Sequence, residues 1–372
     1  MKKMLFIVVL LFGYSTLMAQ TNFRNITYAE AVAAAKKENK PVFIDFYTTW
    51  CGPCKIMSEQ VFPQKSAGDF FNPHFVCIKI DAEKGEGVEL AKRFNVGLFP
   101  TFLVLDKNEN LLVKKVGASS DVELFTLSFR RVLDPKNSPE RLKARYESGE
   151  RNAELISTYT IFLMDEATKE SGMMPMGALD TIRRVILDYF NGLTNKQKLA
   201  AENFFIYKRY LFPTPLDPLG RFMLAHRNEF APEIREKANQ HLEELFQAYV
   251  DCLLSGNREG NATEIATVKK EMNELGYNDD KRYDPVFKLI ESYAKGDMNA
   301  YIDCCEKEFS HLDESGKDNL IAGMFRFQNV EDLDVLKRLS KFLRSHLSSM
   351  STMSVSRATK RLDEIEKKIS VQ

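Results

Sequence analysis

Residues 41–55 read Pro41-Val42-Phe43-Ile44-Asp45-Phe46-Tyr47-Thr48-Thr49-Trp50-Cys51-Gly52-Pro53-Cys54-Lys55, and this stretch decides the fold. Its first half is a near-continuous apolar run, the pattern of a strand buried on both faces of a sheet. Its second half holds two cysteines separated by Gly-Pro and leads into a helix-compatible segment. At such a strand-to-helix junction the first sulfur sits at a helix N-terminus, where unpaired amides and the helix dipole favour a thiolate. The second thiol lies one turn further on, close enough to close a disulfide. The spacing therefore points to thiol–disulfide chemistry at Cys51 and Cys54.

Working outward, residues 27–39 are alanine-rich and open with Thr27 and Glu30 in capping-box spacing, which predicts a helix. A strand is expected at 41–47, then the cysteine turn and a helix from about Cys54 that Pro63 should end or kink. Further strands are expected at 75–81, 101–106 and 111–116, with a short helix at 88–94 and a last one from about 117 to 133. Alternating strands and helices that finish in a hairpin and a helix indicate an α/β sheet flanked by helices.

Several positions together resemble the thioredoxin family. Trp50-Cys51-Gly52-Pro53-Cys54-Lys55 is identical to that family's hallmark. Asp45 falls where thioredoxins keep a buried carboxylate beneath the second cysteine, and Lys79 where they keep its lysine neighbour. Phe99-Pro100-Thr101 falls at their cis-proline, and Val116-Gly117-Ala118 also agrees. The resemblance covers residues 25–133 and implies an α/β thioredoxin-like fold, a mixed sheet with helices on both sides. It departs in two places. Phe99 replaces a smaller aliphatic residue, and 60–73 is read as a longer helix-to-strand connection. That connection, with Glu83-Lys84-Gly85-Glu86-Gly87, resembles the reductase domains of transmembrane electron carriers.

The resemblance implies a role for each matched residue. Cys51, as the exposed sulfur, would attack a substrate disulfide, and Cys54 would resolve the mixed disulfide. Asp45 would take the Cys54 proton, and Lys79 would modulate that carboxylate. Trp50, Gly52, Pro53, Phe99, Pro100 and Thr101 would border the substrate. No cofactor is implied beyond the cysteine pair itself. The Gly-Pro dipeptide is that of reducing relatives, so electrons are expected to flow to protein disulfides from a membrane or soluble donor.

The chain has 372 residues, with 52 acidic and 52 basic side chains, so no net field recruits nucleic acid. Lys2-Lys3, an apolar run over 4–12 and Ala19-Gln20 describe a secretory signal over 1–20 and an exported protein, most simply in a bacterial periplasm. Of the six cysteines, Cys77 lies in an apolar strand and reads as core. Cys252, Cys304 and Cys305 fall in helical sequence, where a link from Cys252 to one of the others stays open. No second Cys-x-x-Cys or close histidine pair completes a metal site. His226, His241, His311 and His346 are scattered.

The expected domains are thus 21–133, a two-proline linker at 134–139 and an all-helical region over 140–372. In that region 142–167 and 285–309 both read as two helices broken near a glycine, a pattern similar to α-hairpin arrays. The aromatic stripe Phe204, Phe205, Tyr207, Tyr210 and Phe212 reads as core. No catalytic constellation falls there, so a partner-binding role is expected. The competing expectation is a non-catalytic scaffold or holdase with the first domain as adaptor.

Overall fold

The computed structural model describes residues 20–209 and 214–371. The expected signal at 1–20 lies outside them except for Gln20, as do Tyr210 and Phe212 of the aromatic stripe. The described residues pack into two compact units that meet in sequence at Leu193 and Thr194.

The first unit begins with α1 (Tyr28–Glu38), closed by the Thr27–Glu30 capping box that the sequence predicts. It continues through β1 (Val42–Tyr47), α2 (Gly52–Ile56), α3 (Lys65–His74), β2 (Val76–Asp81), α4 (Gly87–Arg93), β3 (Thr101–Leu105), β4 (Leu111–Val116) and α5 (Val122–Arg130). The sheet order is β2-β1-β3-β4, with β1 and β2 parallel and the other pairs antiparallel. This is the mixed α/β sheet the sequence implies. One local expectation fails. Residues 60–73 are not a plain connection: a π-helical turn at Met57–Val61 prolongs α2, and α3 follows. Pro73 is tolerated inside α3 because it sits in the last turn, where its missing N–H interrupts only one bond of the ladder.

Side-chain alternation divides the core. Val42, Ile44 and Phe46 point with Val76, Ile78 and Leu103 to the α1 and α4 side. Phe43, Cys77, Phe102 and Val104 point to the other side, where Met57, Val61, Phe71, Phe125 and Phe129 cover them. Phe43 is the hub of that layer, with six phenylalanine rings at centroid distances between 4.5 and 6.3 Å. Asp45 follows Phe43 by two residues, so it belongs to this same face, beneath α2.

The stretch at 134–139 is ordered: Pro135–Asn137 is a 3-10 turn capped by Asp134, and Asn137 is buried. Helices α6 (Pro139–Glu147), α7 (Ala153–Thr168) and α8 (Met176–Gly192) complete the unit, and α7 packs against β4 and α5. Stacked Tyr146 and Tyr159 rings, 4.6 Å apart, join α6 to α7. The α7 contact is held by buried Asp165, whose Oδ1 accepts from Lys115 Nζ at 2.9 Å and Ser128 Oγ at 3.0 Å.

The second unit is all-helical: α9 (Asn195–Lys198), α10 (Phe205–Arg209), α11 (Pro218–Ala225), α12 (Arg235–Ser255), α13 (Ala262–Glu274), α14 (Asp284–Ala294), α15 (Met298–Glu308), α16 (Glu314–Ala322), α17 (Leu333–His346) and α18 (Thr352–Val371). Helices α14 and α15 form the antiparallel pair that the break near Gly296 predicts. Phe204 and Tyr207 are buried against Phe230, as expected of core aromatics. Cys252, Cys304 and Cys305 are free thiols, and none is linked to another.

The Lys115–Asp165 pair gives a direct test. Truncating one partner of a buried pair leaves the other charge uncompensated, at a cost of roughly 3–5 kcal/mol. Asp165→Ala should therefore lower the stability of the first unit by about 3 kcal/mol in urea denaturation. Breaking the exposed Lys65–Asp69 pair with Asp69→Ala should change it by less than about 0.5 kcal/mol. Equal effects would show that Asp165 does not hold α7 to the sheet.

Candidate redox site

The apolar strand β1 delivers Asp45 to the sheet interior and then releases the chain through Thr48, Thr49 and Trp50 to the cysteine turn. Cys51 is the N-cap of α2, with Gly52 and Pro53 forming the first helical positions, where a proline needs no amide donor. Cys51 and Cys54 form a disulfide, their Cα atoms 5.3 Å apart. The Cys54 N–H donates to Cys51 Sγ at 3.1 Å, so a helix-terminal amide already points at the first sulfur. Negative charge on that sulfur would be stabilised by the same donor.

The expectation that Cys51 is the exposed sulfur is not met in the disulfide state. Cys51 is 3% exposed and Cys54 4%, so the closed pair offers almost no sulfur surface on either side. What separates the two is their position on α2, at the cap and within the first turn, not their exposure.

Asp45 is 2% exposed, and burial pushes its carboxyl up to about 6 against the opposing pull of Lys79. Lys79 lies directly opposite Asp45 in the parallel β1–β2 register and reaches its Oδ2 at 3.3 Å. The same ammonium donates to Ser58 Oγ at 2.6 Å. It lies 5.1 to 5.5 Å from the ring centroids of Phe23, Tyr47 and Phe62, within the range of a cation–π attraction. The other carboxylate oxygen, Oδ1, has no hydrogen-bond partner among the described residues. A carboxyl poised near neutrality with one free oxygen can accept a proton on the face that carries α2.

Trp50 is 68% exposed, yet its ring is held: Nε1 donates to Glu83 Oε1 at 3.0 Å and Oε2 at 3.1 Å. Its edge meets Phe99 at 6.2 Å. The Phe99–Pro100 bond is cis, as the resemblance implies, and the Pro100 carbonyl accepts from Gly117 N–H at 2.9 Å. Thr101 departs from expectation. Its side chain is fully buried and donates to Leu98 O at 2.7 Å, so it shapes the loop and offers no hydroxyl to a substrate. Ser58 and Glu83 went unrecognised in the sequence. Glu83 stood in a noticed acidic loop, but nothing local signals that it closes on Trp50. Cys77 is a core thiol whose pKa burial pushes up to about 12. Among the described residues no group of three His, Cys, Asp or Glu side chains could hold a metal.

The raised Asp45 pKa fixes the sign of a stability effect. An unfolded aspartate titrates near 3.9, so between about pH 4 and 6 the folded chain binds the extra proton. Stability conferred by the neutral carboxyl is full below that window and lost as pH rises through it, by about 2–3 kcal/mol in total. The oxidised Asp45→Asn variant should gain on the wild type by that amount between pH 4 and 7 in paired denaturant titrations. Parallel curves would place the Asp45 pKa near its unfolded value.

Comparison with known proteins agrees with this geometry. A family model described as thioredoxin-like matches residues 22–107. Thioredoxin-1 of Drosophila melanogaster is 40% identical over 84 residues, which cover 23% of this chain and 72% of the fly protein. The thioredoxin of Mycoplasma genitalium is 33% identical over 86 residues, covering 23% and 76%. Thioredoxin-2 of Pyricularia oryzae is 32% identical over 99 residues, covering 27% of this chain and only 54% of that protein. Among solved structures, a thioredoxin from Thermus thermophilus aligns over 32% of this chain and 91% of its own, with 24% identity and a TM-score of 0.29. Through its N-terminal α/β domain, the chain belongs to the thioredoxin family.

Proposed function

We propose that the chain is a thiol–disulfide oxidoreductase that reduces protein disulfides in an exported compartment. The observation that carries this reading is the Cys51–Cys54 pair on the N-terminus of α2, whose extension at Ser58 bonds the Lys79 that pairs with buried Asp45. In the reduced protein the Cys51 thiolate attacks one sulfur of a substrate disulfide. That bond breaks, a Cys51–substrate disulfide forms, and the first substrate thiolate leaves and takes up a proton. Cys54 then passes its proton to Asp45 and attacks Cys51 Sγ. The second substrate thiolate leaves, and the pair closes into the disulfide seen here, two electrons poorer. Lys79 keeps Asp45 from becoming too basic to give the proton up again. Trp50, Gly52, Pro53, Phe99 and Pro100 border the approach to the turn.

The reducing direction rests on what lies between the cysteines. Strong oxidants of this type owe their potential to a stabilised reduced form. Gly52 and Pro53 add neither charge nor side-chain donor to a Cys51 thiolate. A separate membrane or soluble donor must then regenerate the dithiol. Export rests on the charged and apolar pattern of the first 20 residues. The helical region from 140 onward is assigned to partner recognition, since it carries no catalytic constellation.

Turnover of oxidised insulin by full-length protein with a chemical reductant is the test. Wild type should accelerate it, Cys51→Ser should fall to the background rate, and Cys54→Ser should accumulate mixed disulfides on Cys51. Wild-type protein that equals Cys51→Ser would favour a non-catalytic scaffold with an adaptor domain.

A further inference from the structure

A cavity of about 340 Å³ opens beside the loop that carries Pro100, within the size range that accommodates a ligand group. Leu98 and Val116 line it from the thioredoxin-like sheet, and Lys169, Glu170 and Ser171 line it from the turn that follows α7. The cavity therefore exists only because the helices after 138 fold back on the redox domain. Gly172 holds the two sides together. Its φ is +69°, and a Cβ built there would stand 3.2 Å from Val116 Cγ1 and 3.9 Å from Leu98 Cδ1. A side chain at 172 would both strain the backbone and press on Val116.

The cavity adjoins the Pro100 loop through Leu98. Leu98 immediately precedes Phe99, whose ring meets Trp50, and Trp50 precedes Cys51. The charges around it are largely spoken for. Lys114 Nζ donates to Asn95 O at 2.8 Å, and Lys169 Nζ pairs with Glu166 at 2.7 Å. Glu170 adds a carboxylate to the same wall, so neither sign of charge on an occupant is strongly favoured. Leu98 is 41% exposed and the neighbouring Met173 72%, which leaves apolar surface at the mouth.

We propose that this cavity is a specificity pocket of the redox site. It receives a bulky uncharged side chain, aromatic or methionine, flanking the substrate cysteine that Cys51 attacks. An extended substrate segment at Phe99–Pro100 would run past Leu98 and present alternate side chains to one side. The pocket thus makes 169–173 a determinant of which protein disulfides are reduced. This assignment rests on the oxidoreductase reading above.

The test uses full-length protein and two disulfide-linked peptides that differ only in tyrosine or glycine beside the reacting cysteine. Wild type should reduce the tyrosine peptide with a kcat/KM roughly tenfold higher, the scale on which apolar pockets discriminate. Glu170→Trp fills the pocket from its exposed wall. It should shrink the preference to about twofold while leaving reduction of hydroxyethyl disulfide, which carries no group for the pocket, unchanged; that control also verifies that the variant is folded. Wild-type turnover without discrimination, or an unchanged preference in a Glu170→Trp variant that still reduces the small disulfide, would overturn the pocket alone. Absence of wild-type turnover on every disulfide would overturn the oxidoreductase reading, and the pocket with it.

Discussion

The site depends on a carboxylate placed where water cannot reach it. Asp45 sits on an apolar strand, on the face covered by Met57 and the phenylalanine layer, and burial there pushes its carboxyl up to about 6. Lys79 opposes that tendency from the adjacent strand at 3.3 Å but does not overcome it. The balance leaves the carboxyl above the usual aspartate range, because burial outweighs the neighbouring ammonium. A fold under selection for stability alone would replace this pair with apolar side chains of similar volume. What the pair supplies is a buried carboxyl with raised proton affinity on the face that carries α2. The three rings around Lys79 and its bond to Ser58 keep the ammonium from swinging out to solvent.

A second buried charge explains the architecture beyond the sheet. Asp165 draws α7 onto Lys115 of β4 and Ser128 of α5, so α6–α8 are bonded to the redox domain through its interior. Residues 134–139 accordingly form an ordered capped turn. The surface that results is one that 21–133 could not form by itself: the turn after α7 stands against the loop leading to Pro100 and closes a cavity beside it.

Much of this was legible from residue patterns, for identifiable reasons. The capping box at Thr27, the apolar run of β1 and the Cys51–Cys54 spacing are local signals, and local hydrogen bonding realises each of them. Asp45 and Lys79 became readable only through the family resemblance, since nothing in one sequence places them opposite each other in a parallel register. What escaped was long-range or conformational. Lys115 and Asp165 are 50 residues apart on different kinds of element, and Glu83 reaches Trp50 across the end of the sheet. The stretch 60–73 read as a connection because Pro73, which lies in the last turn of α3, gives no local sign that a helix precedes it. The burial of Cys51 could not be inferred from its place at a helix cap, because it depends on residues distant in sequence that pack around the turn.

The proposed reducing direction stands or falls on the reduction potential of the Cys51–Cys54 couple. Full-length protein equilibrated against a redox buffer of known potential, with Cys51–Cys54 occupancy read by thiol alkylation and mass, yields the value. The account predicts a potential near that of thioredoxin, about −270 mV, since no charge between the cysteines stabilises the reduced form. A value near −120 mV, typical of a strong periplasmic oxidant, would contradict it.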